Sequence, residues 1–231
     1  MAIKRPDCQP SDGINRKMDK VTKQMGMWEG DFGKEYTDRN ALSLDEMEAL
    51  YRRNYGVSRT ELNESFLVNT DRSARILEVG SNVGNQLLCL QKMGFENLYG
   101  IELQSYAVEL SKIRTKSINI IHGSAFDIPF KNDYFDLVFT SGLLIHIQPS
   151  DIFEVMNEIH RCTREYIWGF EYYADEFTEV VYREHKNLLW KADYARLYLE
   201  LFDDLELVKK EQIRYLENDN MDSMFLLRKT I

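Results

Sequence analysis

The sequence predicts an α/β protein: a doubly wound, seven-stranded sheet whose last strand runs antiparallel, with an N-terminal helical cap and a helical insertion after the fifth strand. Three features carry that prediction. Between Asp71 and Phe170, short apolar runs alternate with stretches of helical spacing, as parallel strands joined by crossover helices do. The run ARILEVGSNVGNQL, Ala74 to Leu87, reads as a buried strand, a glycine-bearing turn and the start of a helix. Near the end, two β-rich segments flank Asn218, Asp219 and Asn220, the pattern of an antiparallel hairpin.

Taken in order, residues 1–14 are polar, carry Pro6, Pro10 and Gly13, and are expected to be loosely held. Met18, Val21, Met25 and Trp28 then fit one helical face. In Trp28 to Asn40, WEGDFGKEYTDRN, the rings of Trp28, Phe32 and Tyr36 recur every four residues. That spacing suits either a packed helical face or a lid over a site. Ser43 is a natural N-cap, with Asp45 and Glu46 in the first turn of its helix; a further helix is expected over Ser58 to Val68. No strand pattern occurs before residue 70, so residues 1–70 are assigned to the cap and residues 71–231 to the core.

Within the core the first strand ends at Gly80, and its helix runs from Asn85 to Met93. The second strand is Asn97 to Leu103. A helix over Ser105 to Lys116 follows, with Ala107, Leu110 and Ile113 on one side. The third strand is Ile118 to His122, the fourth is Phe135 to Ser141, and Ser150 opens a helix carrying Ile152, Met156 and Ile159. The fifth strand is Tyr166 to Phe170. Residues 175–203 read as a helical, aromatic-rich insertion without a strand. Leu205 to Leu216 and Ser223 to Arg228 form the closing hairpin.

Composition narrows the partners. The net charge is −9, with 38 acidic against 29 basic side chains, which argues against a nucleic-acid partner and for a small-molecule acceptor. No apolar run approaches the ~20 residues that cross a bilayer, so no membrane role is expected. Cys8, Cys89 and Cys162 are odd in number and lack metal-ligand spacing, which favours a reduced, cytoplasmic setting without a metal site. A monomer and a homodimer are both compatible with the sequence.

The glycine turn selects the cofactor. A nicotinamide or flavin dinucleotide would want G-x-G-x-x-G, and the turn from Gly80 to Asn85 reads GSNVGN, lacking two of the three glycines. Glu78 stands two residues before Gly80, Gly84 four after it, and Glu102 closes the second strand at the spacing of a ribose-binding acid. With EVGSNVG, Glu102, GSAFDIPF, FDLVFTSGLLIHI and the final hairpin, the chain from Arg75 to Ile231 resembles the class I S-adenosylmethionine-dependent methyltransferases, with their Rossmann-like sheet. Asn82 takes the place of the family's middle glycine, and Asn tolerates left-handed backbone better than most residues. More narrowly, WEGDFGKEYTDRN, the GSAFDIPF-to-HI stretch and VYREHKNLLWKADYA are similar to methylases associated with pseudaminic acid biosynthesis.

That resemblance implies S-adenosylmethionine as cofactor and S-adenosylhomocysteine as product. It implies that Glu78, Gly80, Ser81 and Asn82 surround the methionine portion and ribose, and that Glu102, beside Leu103, accepts the ribose hydroxyls. Ser124, Ala125 and Phe126 would hold the adenine, with Ser141 also at the cofactor. Many relatives have Asp at the Ser124 position, and Asp127 is the nearest substitute. Trp28, Tyr36 and Arg39 would belong to the lid, with Tyr36 and Arg39 reaching the cofactor carboxylate.

For the reaction itself, His146, Glu171 and Tyr172 lie after the fourth strand or at the end of the fifth, the edge where such sheets bind ligands. They are the expected base or orienting groups, and Tyr173 is expected to touch substrate. Arg183, Lys186, Lys191 and Arg196 cluster in the insertion and would suit an anionic acceptor; otherwise they are a solvated face. His122 and His160 read as structural or solvated, and His185 as a weaker candidate. The expected activity is O-methylation of a small anionic metabolite: a sugar, nucleotide sugar, sugar acid or phosphonate. The alternatives are N-methylation of an amino sugar or other small amine, and a non-catalytic cofactor-binding protein.

Overall fold

The computed structural model describes residues 20–230; the expectations for residues 1–14, including Cys8, and for Met18 lie outside them. The parallel strands are β1 (Arg75–Val79), β2 (Asn97–Glu102), β3 (Asn119–His122), β4 (Phe135–Ser141) and β5 (Thr163–Tyr172). A short pair, β6 (Thr178–Glu179) and β7 (Trp190–Lys191), lies apart from them, and the hairpin β8 (Leu205–Arg214) and β9 (Met221–Lys229) completes the set. Seven of these strands form one sheet in the order β3-β2-β1-β4-β5-β9-β8. β9 runs antiparallel to both neighbours. This is the predicted mixed, doubly wound sheet.

Period-two alternation gives each strand two apolar faces. In β1, Ile76 joins one buried cluster and Leu77 the other. The first cluster is closed by α5 (Asn85–Lys92), α6 (Ser105–Arg114) and α4 (Arg59–Leu67), through Leu87, Leu90, Val108, Leu62 and Phe66. The second is closed by α7 (Ile152–Cys162) and α8 (Tyr194–Leu201), through Ile152, Val155, Ile159, Tyr194 and Tyr198. Thus α4, although it precedes residue 70, packs into the core of the sheet. Among the described residues, α1 (Lys23–Glu29), α2 (Asp31–Asn40) and α3 (Leu44–Tyr55) remain as cover for the carboxyl edge.

Local chemistry sets these helices. Ser43 and Ser58 each form a complete capping box, with Glu46 and Glu61, at the starts of α3 and α4. Gly56, at φ 78°, ends α3 in left-handed backbone.

Several boundaries differ from the sequence reading. The Trp28-to-Asn40 stretch is two helices that break at Gly30, because the chain folds sharply there. A Cβ on Gly33 would lie 1.8 Å from the Trp28 carbonyl oxygen. Ring contact survives the break: Trp28 meets Phe32 and Tyr36 with centroids 5.2 Å apart in each case. On α6 the buried face is Ala107, Val108 and Ser111, while Ile113 is exposed. α7 begins after Asp151 rather than at Ser150. The insertion is helical only in α8; its first half folds back as the β6–β7 pair, Thr178 opposite Lys191. Among the described residues no helix is long and apolar enough to cross a membrane.

Candidate active site

The carboxyl ends of β1, β2 and β4 open into a cavity of about 380 Å³ that α1, α2 and α3 cover. Its volume falls in the range of small-molecule sites. The glycine turn forms its floor. Gly80 (φ 76°) and Asn82 (φ 46°) both adopt left-handed backbone. A Cβ at Gly80 would come within 2.8 Å of Leu143, so this close approach requires glycine. The Asn82 amide donates to Glu102 Oε2 at 2.8 Å, and Glu102 Oε1 accepts from the Gln104 amide at 2.7 Å. The turn and the end of β2 are therefore held as one unit.

Glu78 brings a buried, unsatisfied carboxylate oxygen to the cavity wall. It is 2% exposed, and its Oε2 has no hydrogen-bond partner within the described protein. Burial drives its pKa well up, and nearby Glu102 adds to this, while Arg59 opposes it. A carboxylate oxygen left bare beside a cavity is costly unless a ligand donor meets it. Ser81 Oγ is likewise buried and unpartnered.

His146 sits on the short 3-10 turn Leu144–His146 that follows β4. Its Nδ1 lies 2.7 Å from the Leu188 carbonyl oxygen. A carbonyl can only accept, so Nδ1 carries the proton. Burial lowers the ring's pKa to about 4, against that hydrogen bond. His146 is therefore neutral near pH 7, with Nε2 as its acceptor nitrogen. Its ring packs on Trp28, centroids 4.5 Å apart, and on Tyr182 at 5.6 Å. His122 ends β3 exposed and His160 bonds Asp204 at 2.9 Å; His185 rests against Phe32.

Of the residues expected at the site, Trp28, Tyr36, Glu78, Gly80, Ser81, Asn82, Glu102, Leu103, Ser124, Ala125, Phe126, Ser141, His146 and Tyr172 all line this one cavity. Others are placed elsewhere. Arg39 is exposed on α2 and faces Glu35, 3.7 Å away, because the cavity side of that helix belongs to Gly33, Tyr36 and Asn40. Glu171 is 1% exposed, and its carboxylate accepts the amides of Leu143 and Ile145. Burial raises its pKa to about 7. It braces the turn that carries His146 and does not line the cavity. Tyr173 turns outward and bonds Asp175.

The basic cluster disperses. Arg183 and Lys186 are exposed on the tip of the insertion. Lys191 is held by Asn220 Oδ1 at 2.6 Å, and Arg196 by the Asp175 carbonyl at 2.6 Å. None of the four lines the cavity. Asp127 does not line it either and only closes a turn with Ser124.

Other side chains reach the cavity without having been singled out by the sequence. Tyr51 and Tyr55 come from α3, Tyr182 from the insertion, Tyr215 from the closing hairpin, and Asp222 from β9. Gln104 caps α6 and also donates to the carbonyls of Trp28 and Glu29, pinning the α1–α2 corner. An acid inside the apolar strand MDSMFLLRK, and tyrosines at i and i+4 on a cap helix, were the available signals.

Residues 77–166 match the family model described as methyltransferase domain. Over that stretch the chain is similar to a methyltransferase domain. A comparison with curated protein sequences finds no match. Among solved structures, the chain is similar to Burkholderia thailandensis 1,6-didemethyltoxoflavin-N1-methyltransferase, crystallised with 1,6-didemethyltoxoflavin and S-adenosylhomocysteine. The TM-score is 0.67 at 15% identity, over 95% of this chain and 99% of that one. It is also similar to a Methanosarcina mazei SAM-dependent methyltransferase, with TM-score 0.58 at 16% identity, over 70% and 94%. The [4+2]-cyclase SpnF matches with TM-score 0.60 at 15% identity, over 74% and 80%. At such identities the likeness is one of fold.

The cofactor of the methyltransferase domain is S-adenosylmethionine, and the cavity fits it. The bare, buried Glu78 oxygen suits an ammonium group, and Glu102 retains acceptor capacity for hydroxyls. The left-handed turn at Gly80 and Asn82 brings backbone close to a ligand.

Proposed function

We propose that the protein transfers the methyl group of S-adenosylmethionine to a small-molecule hydroxyl or amine seated between the cap and the carboxyl edge of the sheet. The observation that carries this is the pairing, in one cavity, of an unpartnered buried Glu78 carboxylate with a neutral His146. Glu78 takes the ammonium of the methionine portion, Glu102 takes the ribose hydroxyls, and Ser124, Ala125 and Phe126 flank the adenine. Trp28 and Tyr36 close over the site and exclude water. S-Adenosylmethionine supplies an already activated methyl group, so the protein's tasks are alignment and removal of one acceptor proton. His146 Nε2 is the group that takes that proton, and Tyr172 orients the acceptor. Helices α1, α2 and α3 act as the cover.

The resemblance to pseudaminic acid-associated methylases sets the acceptors to try. Nucleotide sugars, nonulosonic acids, amino sugars and small phosphonates are incubated with the protein and S-adenosylmethionine, and S-adenosylhomocysteine release is measured together with product mass. The reading expects a 14-dalton gain on one acceptor class. Cofactor that fails to bind in calorimetry would overturn it.

A further inference from the structure

Tyr51, Tyr55, Phe170, Tyr172 and Tyr215 wall one end of the cavity around the carboxylate of Asp222. The rings are in mutual contact: Tyr55 lies 4.6 Å from Tyr215 and 5.9 Å from Phe170, and Tyr51 lies 5.3 Å from Tyr55. Asp222 is 1% exposed and accepts from the Tyr55 hydroxyl at 2.5 Å, which also lies 2.7 Å from the Tyr215 hydroxyl. The strand register places it opposite Tyr172 on β5 and Ile213 on β8. None of the cofactor contacts assigned above uses this cluster.

The charges around the cavity are one-sided. Among the described residues that line it, the carboxylates are Glu78, Glu102, Asp151 and Asp222, and there is no lysine or arginine. Glu78 and Glu102 are assigned to the cofactor, and Asp151 is paired with Lys20 at 2.9 Å. Asp222 remains. Two cations do lie close behind the wall. Arg59 is fully buried, bonded to Asn63, Tyr51 and Ser141, with its guanidinium 4.7 Å from the Phe170 ring centroid. Lys191 is held by Asn220. Both favour the ionised form of Asp222, whose pKa burial lifts to about 6 against the hydrogen bonds of Tyr55 and Tyr215. At neutral pH the group is therefore mainly a carboxylate.

Electron-rich ring faces around a carboxylate attract cations, and most strongly cations with weakly held water. The same surroundings disfavour phosphate or carboxylate ligands, which would meet the like charge of Asp222 in the lining while Arg59 and Lys191 stay outside it. We propose that the Tyr51–Tyr55–Tyr172–Tyr215–Asp222 cluster is the acceptor site and that it takes a small amine. The amine enters as its ammonium ion, gives up one proton, and attacks the methyl group as the free amine while the sulfonium leaves as neutral S-adenosylhomocysteine. The assignment rests on the methyl-transfer reading and names its substrate class. It replaces the anionic acceptor suggested by the basic insertion, whose side chains stay outside the cavity.

The test uses the full-length protein saturated with S-adenosylhomocysteine, so that no sulfonium competes for the rings. Tetramethylammonium chloride, sodium phosphate and sodium chloride are titrated at matched ionic strength, following aromatic proton shifts by NMR and heat by calorimetry. Saturable shifts with tetramethylammonium alone are expected, weakened about tenfold or more in Asp222→Asn and in Tyr215→Leu. Asn keeps an oxygen that accepts from Tyr55, and S-adenosylhomocysteine affinity in both variants reports that the fold and cofactor site are intact. Saturation by phosphate, or tetramethylammonium binding unchanged in both variants, overturns the amine assignment. If S-adenosylhomocysteine binds and no ammonium effect appears, the amine assignment alone fails. If S-adenosylhomocysteine does not bind, the methyl-transfer reading fails with it.

Discussion

Asn82 Nδ2 lies 2.9 Å from Thr37 Oγ1, which ties the glycine turn to the cap helix α2. Thr37 is fully buried and Asn82 half-buried, so the bond is partly shielded from water. A glycine at position 82 could take the same left-handed backbone but could not make this link. Asn82 thus joins the floor of the cavity to its cover.

Asn82→Gly should keep the turn and loosen the cap. Loss of one buried hydrogen bond, worth about 0.5–1.5 kcal/mol, predicts roughly two- to tenfold weaker S-adenosylmethionine binding in calorimetry. Asn82→Val should be worse, since a β-branched residue is strained at this φ. Wild-type affinity in the glycine variant would mean the link does not hold the cover down.

Glu78→Gln keeps the shape of the side chain and removes its charge. If its bare oxygen meets the cofactor ammonium, the affinity should fall by about ten- to a hundredfold, the range for hydrogen bonds to charged groups. The folded protein should at the same time gain stability, because the variant no longer buries a carboxylate with an unpartnered oxygen. Opposite movements of melting temperature and affinity are the signature to look for.

His146→Ala should lower turnover by roughly 10²–10⁴ if Nε2 removes the acceptor proton, with cofactor affinity nearly retained. A wild-type rate in single-turnover measurements removes the role. Glu171→Gln should reduce turnover less, since its one amide oxygen can still accept from one of the Leu143 and Ile145 amides that set the turn, the other bond being lost.

His146 and Glu171 oppose each other in the pH dependence of stability. The pKa of His146 is depressed to about 4, so its contribution is present above the unfolded value near 6.5 and is lost as pH falls towards 4. The pKa of Glu171 is raised to about 7, so its contribution is full below the unfolded value near 4.5 and is lost as pH rises towards 7. Each is of order 3 kcal/mol, and over pH 4.5–6.5 they nearly cancel. His146→Asn should therefore make stability fall more steeply with rising pH than in the wild type, and Glu171→Gln should make it rise. Urea unfolding at pH 4.5, 5.5 and 6.5 reads both slopes.

Arg39→Ala should leave cofactor affinity unchanged. Its guanidinium lies on the exposed side of α2 with Glu35, where ion pairs contribute little. Weakened binding in calorimetry would require α2 to rotate in the bound state.

The local features of this protein were legible in its sequence. Strand alternation, the Ser43 cap of α3 and the left-handed Asn82 each depend on residues a few positions apart, and the residue types themselves determine them. The order Glu78, Gly80, Glu102, Ser124 then brings one cavity together at one sheet edge, because parallel strands with crossover helices deliver their carboxyl ends to the same side. What lay beyond the sequence depended on the rotation of helices and on contacts between distant segments. Arg39 and Tyr36 are three residues apart, yet the path of α2 after the Gly30 break sends one to solvent and the other to the cavity. The basic residues of the insertion cluster in sequence but disperse in space, because β6 and β7 fold back on each other. Tyr55 and Asp222, 167 residues apart, meet only because β9 inserts antiparallel beside β5 and α3 closes over that edge. Periodicity assigns a residue to a face, but only packing decides what that face meets.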